Sequence, residues 1–128
     1  MKISSPAFND NGTIPAKYGC SGAGTSPPLA FSGVPSSAKS LTLHVDDPDA
    51  PGGSFTHWDV TDIPQATTSV AEGQPPAGGT EGQNGFGSKG WGGPCPPSGT
   101  HHYVFTLTAL DGNGKTIDTA KLTGTYSK

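Results

Sequence analysis

Residues 102–110 read His102-Tyr103-Val104-Phe105-Thr106-Leu107-Thr108-Ala109-Leu110. Aromatic and apolar side chains alternate with polar ones at a period of two, which is the signature of a half-buried β-strand. Tyr103, Phe105, Leu107 and Ala109 fall on one face; His102, Val104, Thr106 and Thr108 fall on the other. Outward from this stretch the same period recurs. Residues 41–46 (LTLHVD) alternate, residues 57–63 (HWDVTDI) carry strand formers up to Pro64, and residues 121–126 (KLTGTY) form a short last strand. Residues 29–31 and 2–4 add two short candidates. Asn9 to Gly12, Pro48 to Gly53 and Asp111 to Gly114 are turn chemistry. Only residues 65–72 (QATTSVAE) suggest a turn of helix. The expected fold is therefore all-β, a sandwich or barrel of short strands in one domain over residues 1–128.

Composition narrows the function. The 128 residues include 20 Gly and 13 Pro, and 30% are hydrophobic, so the core must be small. Net charge is −3 and all seven basic residues are Lys. No basic cluster exists to neutralise nucleic-acid phosphates, which argues against a nucleic-acid partner. Without Arg, no guanidinium fork can clamp an anion. No segment is long and apolar enough for a transmembrane helix, and the N-terminus lacks the apolar centre of a signal peptide. A cytoplasmic location is the resulting expectation. Cys20 and Cys95 can form one disulfide or stay free. Residues 73–100, rich in Gly and Pro, are long for a structureless loop. Phe86 and Trp91 within them favour an ordered segment lying over the sheet.

Two clusters carry chemistry. The first is Val45-Asp46-Asp47-Pro48-Asp49-Ala50-Pro51-Gly52-Gly53-Ser54-Phe55-Thr56-His57-Trp58-Asp59-Val60, with four carboxylates in a chain that is only 13% charged. A hairpin here can bring Asp47 to His57. A carboxylate beside an imidazole favours the imidazolium and fixes its outward nitrogen, which makes a donor to a phosphate oxygen. Asp-Pro-Asp can equally be a plain turn with local side-chain bonds. The second cluster runs from Gly92 to Tyr103. His101 and Tyr103 share a face there, so a pocket of Asp47, His57, His101 and Tyr103 is conceivable. A rival set is His57, Asp59 and His101, two histidines and a carboxylate of the kind that holds non-haem iron in an oxygenase. The Gly85–Gly90 match to G-x-G-x-x-G lacks a strand-to-helix context. Ser36–Lys39 matches S-x-x-K without its partner motifs. Cys95 with His101 could suggest a nucleophile pair, though prolines flank the cysteine.

Asp47-Pro48-Asp49-Ala50-Pro51, His57-Trp58, Gly93-Pro94-Cys95-Pro96-Pro97 and His101-His102-Tyr103-Val104-Phe105 together resemble the phosphatidylethanolamine-binding protein family. The bacterial and archaeal branch, often labelled Raf kinase inhibitor-like, is the nearer match. Ile14 to Cys20, Ser26 to Leu29 and Leu122 to Tyr126 extend the likeness over nearly the whole chain. The resemblance implies a β-sandwich with an anion pocket at one end. That pocket would use Asp47, His57, the Gly93-Pro94 backbone, His101 and Tyr103. Asp49, Pro51 and Trp58 would shape it, and the Ala50–Pro51 bond would be cis. Asp47 would orient the pocket histidine rather than touch the anion. The implied ligands are phosphate-type anions or phospholipid head groups, with no cofactor. A protein partner, as for relatives that inhibit kinases or serine proteases, is the second function. Two departures stand out. Only Asp111 to Ala120 fill a gap that is often helical in the family, which leaves a sheet face less covered and open to homodimer formation. His102 stands where Arg is usual, which removes a positive charge from the rim.

Overall fold

The computed structural model describes residues 1–128. Nine strands follow in order: β1 (Lys2–Ser4), β2 (Gly12–Thr13), β3 (Leu29–Ser32), β4 (Ser40–Asp47), β5 (Phe55–Pro64), β6 (Ser69–Val70), β7 (Thr80–Glu81), β8 (Thr100–Leu110) and β9 (Thr116–Ser127). One sheet has the order β1-β3-β6; the other has the order β2-β9-β8-β4-β5-β7. Every pairing is antiparallel except β2 with β9. The only helical element is a 3-10 turn at Ala16–Tyr18, and no helix is long and apolar enough to cross a membrane.

Alternation decides which side chains are inside. On β8 His101, Tyr103, Phe105, Leu107 and Ala109 are buried while the residues between them are not. On β4 the buried set is Leu41, Leu43, Val45 and, unusually, Asp47. The apolar side chains and Tyr103 among these join Trp58, Val60 and Ile63 of β5, and Ile3, Leu29, Phe31 and Val70 of the small sheet, in one continuous core. The expected helical turn at residues 65–72 is not formed. Thr67 closes a turn onto the Pro64 carbonyl, and Ser69–Val70 pair with β3. Val70 needs an apolar contact that the small sheet supplies, and this outweighs a weak helix preference. Residues 111–115 make a tight turn between β8 and β9, with Asp111 Oδ1 accepting from the N–H groups of Asn113 and Lys115 at 2.8 and 2.9 Å. No helix covers the outer face of the large sheet.

Two features position the site. The first is a β-bulge. Val45 pairs with Trp58 and Asp46 with Thr56, so His57 is an extra residue on β5. A bulge re-aims the side chain it carries, and here it lets consecutive residues His57 and Trp58 both be buried. The second is the ordered course of residues 73–100. Trp58 Nε1–H donates to Glu81 at 2.8 Å and Trp91 Nε1–H to the Tyr18 carbonyl at 3.1 Å. Buried Asn84 ties the loop to itself, accepting from the N–H groups of Phe86 and Ser88 and donating to the Gly90 carbonyl. Cys20 and Cys95 are joined in a disulfide across 75 residues. The resemblance also implied a cis bond at Ala50–Pro51, but every peptide bond is trans. Gly52 and Gly53 reverse the chain instead, at φ of 86° and 111°, values that side-chain-bearing residues rarely adopt.

Closing so long a loop restricts the unfolded chain, so the Cys20→Ala/Cys95→Ala double variant should lose about 2–4 kcal/mol of stability. Guanidinium unfolding of the two proteins checks this; coincident midpoints would mean that the bridge adds nothing.

Candidate functional site

At one end of the large sheet a cavity of about 290 Å³ opens where β4, β5 and β8 converge. Its polar floor is Asp47, His57, His101 and Tyr103. Phe55, Phe86, Ala50, Pro51, Pro96, Pro97 and the bridged Cys95 form an apolar collar. All four residues expected in the floor are brought together.

The partners differ from those expected. Asp47 does not hold His57. Its Oδ2 accepts from His101 Nδ1–H at 2.6 Å, and its Oδ1 accepts from the Asp49 N–H at 2.8 Å. Asp47 ends β4 and His101 lies near the start of β8, on neighbouring antiparallel strands, and both face inward. His57 sits on the bulge, which turns it toward the loop. Its Nδ1–H donates to the Gly92 carbonyl at 2.6 Å, and the Gly92 N–H returns a bond to the His57 carbonyl at 2.8 Å. In both rings Nδ1 is occupied, which leaves Nε2 without a protein partner on the cavity side.

The electrostatics follow from burial. His57 is packed among the rings of Phe55 at 5.1 Å, Phe86 at 5.7 Å and Tyr103 at 5.0 Å. Burial holds its pKa below the ordinary histidine value. The Gly92 carbonyl and the charges of Asp47 and Asp46 offset this only in part. The imidazolium expected at this position is therefore replaced by a neutral ring whose Nε2 is an acceptor. The Tyr103 hydroxyl is fully buried and has no hydrogen-bond partner. Burial, then the negative charge of Asp47 and the approach of its carboxylate to the hydroxyl, pushes its pKa well up, so it stays a proton donor.

Several expected residues lie elsewhere. Trp58 is not a wall of the cavity. It is buried in the core, edge-on to Trp91 at 5.4 Å, because it occupies the inward position that the bulge denies to His57. Gly93 and Pro94 do not line the cavity either; they fix its rim from behind. The Pro94 carbonyl accepts from the Cys20 N–H at 2.9 Å. A Cβ on Gly93 would meet the Tyr18 carbonyl at 2.7 Å. Asp49 faces out and grips His102, accepting from its backbone N–H and from Nδ1–H at 2.8 and 2.7 Å. These bonds lower the Asp49 pKa. Pro51 does line the cavity. The rival iron set is not assembled. Asp59 pairs with His44 across the strands, 3.6 Å away on the outer face, and no cluster of three metal-ligating side chains exists. Phe55, Phe86 and Gly92 went unassigned in the sequence. Only the aromatic Phe86 in a Gly-rich run hinted at the collar.

A family model described as phosphatidylethanolamine-binding protein matches residues 4–127. The chain is 49% identical over 116 residues to a UPF0098 protein of Methanothermobacter thermautotrophicus, covering 87% of this chain and 77% of that one. It is 50% identical over 112 residues to LppC of Mycobacterium tuberculosis, which is described as a lipoprotein, covering 86% of this chain and 55% of that one. It thus spans about half the length of LppC. Among solved structures, it superposes on CT736 of Chlamydia trachomatis, described as a phosphatidylethanolamine-binding protein homologue. The TM-score is 0.94 at 39% identity, covering 99% of this chain and 97% of that one. Escherichia coli YbcL, described as a new member of the mammalian family, gives a TM-score of 0.90 at 32% identity, covering 99% and 98%. The fold with its cavity at the sheet end defines a class, and the chain belongs to the phosphatidylethanolamine-binding protein family.

The lowered pKa of His57 has a consequence for stability. The unfolded chain binds a proton at its ordinary pKa of about 6.5, while the folded chain resists it. Stability contributed by the neutral ring is therefore present above that pH and lost as pH falls toward the folded-state value. In anion-free buffer the urea midpoint should drop between pH 7.5 and 5.5, and His57→Gln should flatten that part of the profile. An unchanged slope in the variant would contradict the assignment.

Proposed function

We propose that the chain is a non-enzymatic binder of small phosphate-type anions. The observation that carries this reading is the buried, partnerless hydroxyl of Tyr103 at the floor of an open cavity. A buried donor without a partner costs about 1–3 kcal/mol. Beside it lie two imidazole Nε2 atoms, also without protein partners. An oxyanion accepting from Tyr103 and from the imidazolium form of His101 satisfies these groups, and Asp47 compensates the charge on His101 through Nδ1. The pocket holds no Lys or Arg, so recognition rests on hydrogen bonds rather than on excess positive charge.

Neither the thiol of Cys95 nor the hydroxyl of Tyr103 supplies a nucleophile. Cys95 is bonded to Cys20, and the Tyr103 hydroxyl is held protonated. The collar of Phe55, Phe86 and the prolines favours a ligand with an apolar or aromatic group beyond its anionic end. The disulfide supports action in an oxidising compartment rather than in the cytoplasm that the sequence suggested.

Tyr103→Phe separates binding from folding. It removes an unsatisfied hydroxyl, so stability should be unchanged or rise by about 1 kcal/mol. Affinity for inorganic phosphate on chelator-treated protein, measured by calorimetry, should fall roughly tenfold. Unchanged phosphate affinity in a folded Tyr103→Phe protein, or no phosphate binding by the parent chain, defeats the proposal.

A further inference from the structure

The two histidines are not equivalent, and their difference bears on the class of ligand. His101 Nδ1–H rests on a carboxylate, so a charge on this ring is compensated at 2.6 Å. His57 Nδ1–H rests on a neutral carbonyl, also at 2.6 Å. The charged and titratable groups that act on His57 are Asp46 and Asp47 from β4 and His101 from β8, and the rings of Phe55, Phe86 and Tyr103 pack against it. The nearer carboxylate, Asp47, already spends both oxygens on His101 and on the Asp49 N–H. The other, Asp46, is bonded to Ser54 Oγ at 2.9 Å. With one compensated charge, the floor offers two donors, His101 Nε2–H and Tyr103 O–H, and one acceptor, His57 Nε2.

We infer that the cavity selects phosphomonoesters carrying one proton on phosphorus over phosphodiesters, and so discriminates against intact phospholipid head groups. A monoprotonated monoester matches the floor. Two of its oxygens accept from His101 and Tyr103, and its P–OH donates to His57 Nε2. A phosphodiester has the two acceptors but no proton to give, so it leaves His57 Nε2 facing a phosphate oxygen lone pair. This selection rests on the anion-binding reading above and refines it. The burial that disfavours a charged His57 supports the same assignment. Volume alone does not make the choice, because one added methyl is small beside a cavity of about 290 Å³.

The test compares phenyl phosphate with methyl phenyl phosphate, binding to the intact disulfide-bonded chain by calorimetry at pH 6. About half of a monoester carries the proton there. Phenyl phosphate should bind roughly tenfold or more tightly, the factor set by an acceptor that the bound ligand covers and leaves unpaired. Equal affinities at pH 6 would overturn the selection while leaving the anion pocket standing. Binding of neither compound, nor of inorganic phosphate, would remove both. A second pair guards against an ammonium group donating to His57. Glycerophosphoethanolamine binding as tightly as phosphoethanolamine would overturn the discrimination against head groups.

Discussion

The bond between Asp47 and His101 is the constraint on which the site depends. It places a carboxylate in the core, at the end of a strand whose inward positions are otherwise Leu41, Leu43 and Val45. A buried carboxylate is costly unless its oxygens are satisfied, and here both are, by His101 Nδ1–H and the Asp49 N–H. Asp49, two residues on, grips His102 in turn. An aspartate at the end of β4 and another in the turn after it thus hold two adjacent histidines of β8, one on each face of the sheet. Pro48 between them fixes a backbone torsion and so limits the freedom of the turn that presents both carboxylates. The inner pair builds the cavity floor, and the outer pair fastens the rim.

The bulge at His57 is the complementary device. A regular strand would send His57 and Trp58 to opposite faces, and one of them would leave the core side. The extra residue lets Trp58 keep its packing against Trp91 while His57 turns to the Gly92 carbonyl. Phe55 and Phe86 then close around the imidazole, 4.8 Å apart at their ring centres. The Gly-rich loop serves this contact directly, since a Cβ on Gly92 would meet the Phe86 ring at 2.5 Å and one on Gly85 would meet Phe55 at 2.6 Å. The loop is therefore a packed wall, held by Asn84 and by the disulfide.

Much of this was legible in the sequence because period-two alternation is a local signal. Three of the four long strands, the opposed faces of His101 and His102, and the four floor residues follow from it and from the quoted motifs; the last strand, expected to be short at 121–126, begins at Thr116, because residues 116–120 bury no side chain that would mark a period. The two-residue strands β2, β6 and β7 were not legible, since two residues carry no period. The pairing of Asp47 was misassigned to His57 because hairpin proximity ignores register: the cross-strand partner comes from β8, 54 residues away. The bulge was invisible for the same reason, and with it went the placement of Trp58 and Asp59. The collar escaped notice because Phe55 and Phe86 meet only through tertiary packing.

The central claim is that both floor histidines are tethered through Nδ1 and present Nε2 to one anion. A long-range proton–nitrogen correlation spectrum of the histidine rings tests it most directly, recorded before and after saturation with inorganic phosphate. The account predicts the Nδ1–H form for His57 in the free protein. It also predicts that phosphate moves the Nε2 signals of His57 and His101 together, with His44 and His102 unmoved. An Nε2–H form of His57, or a phosphate response confined to the exposed histidines, would contradict it.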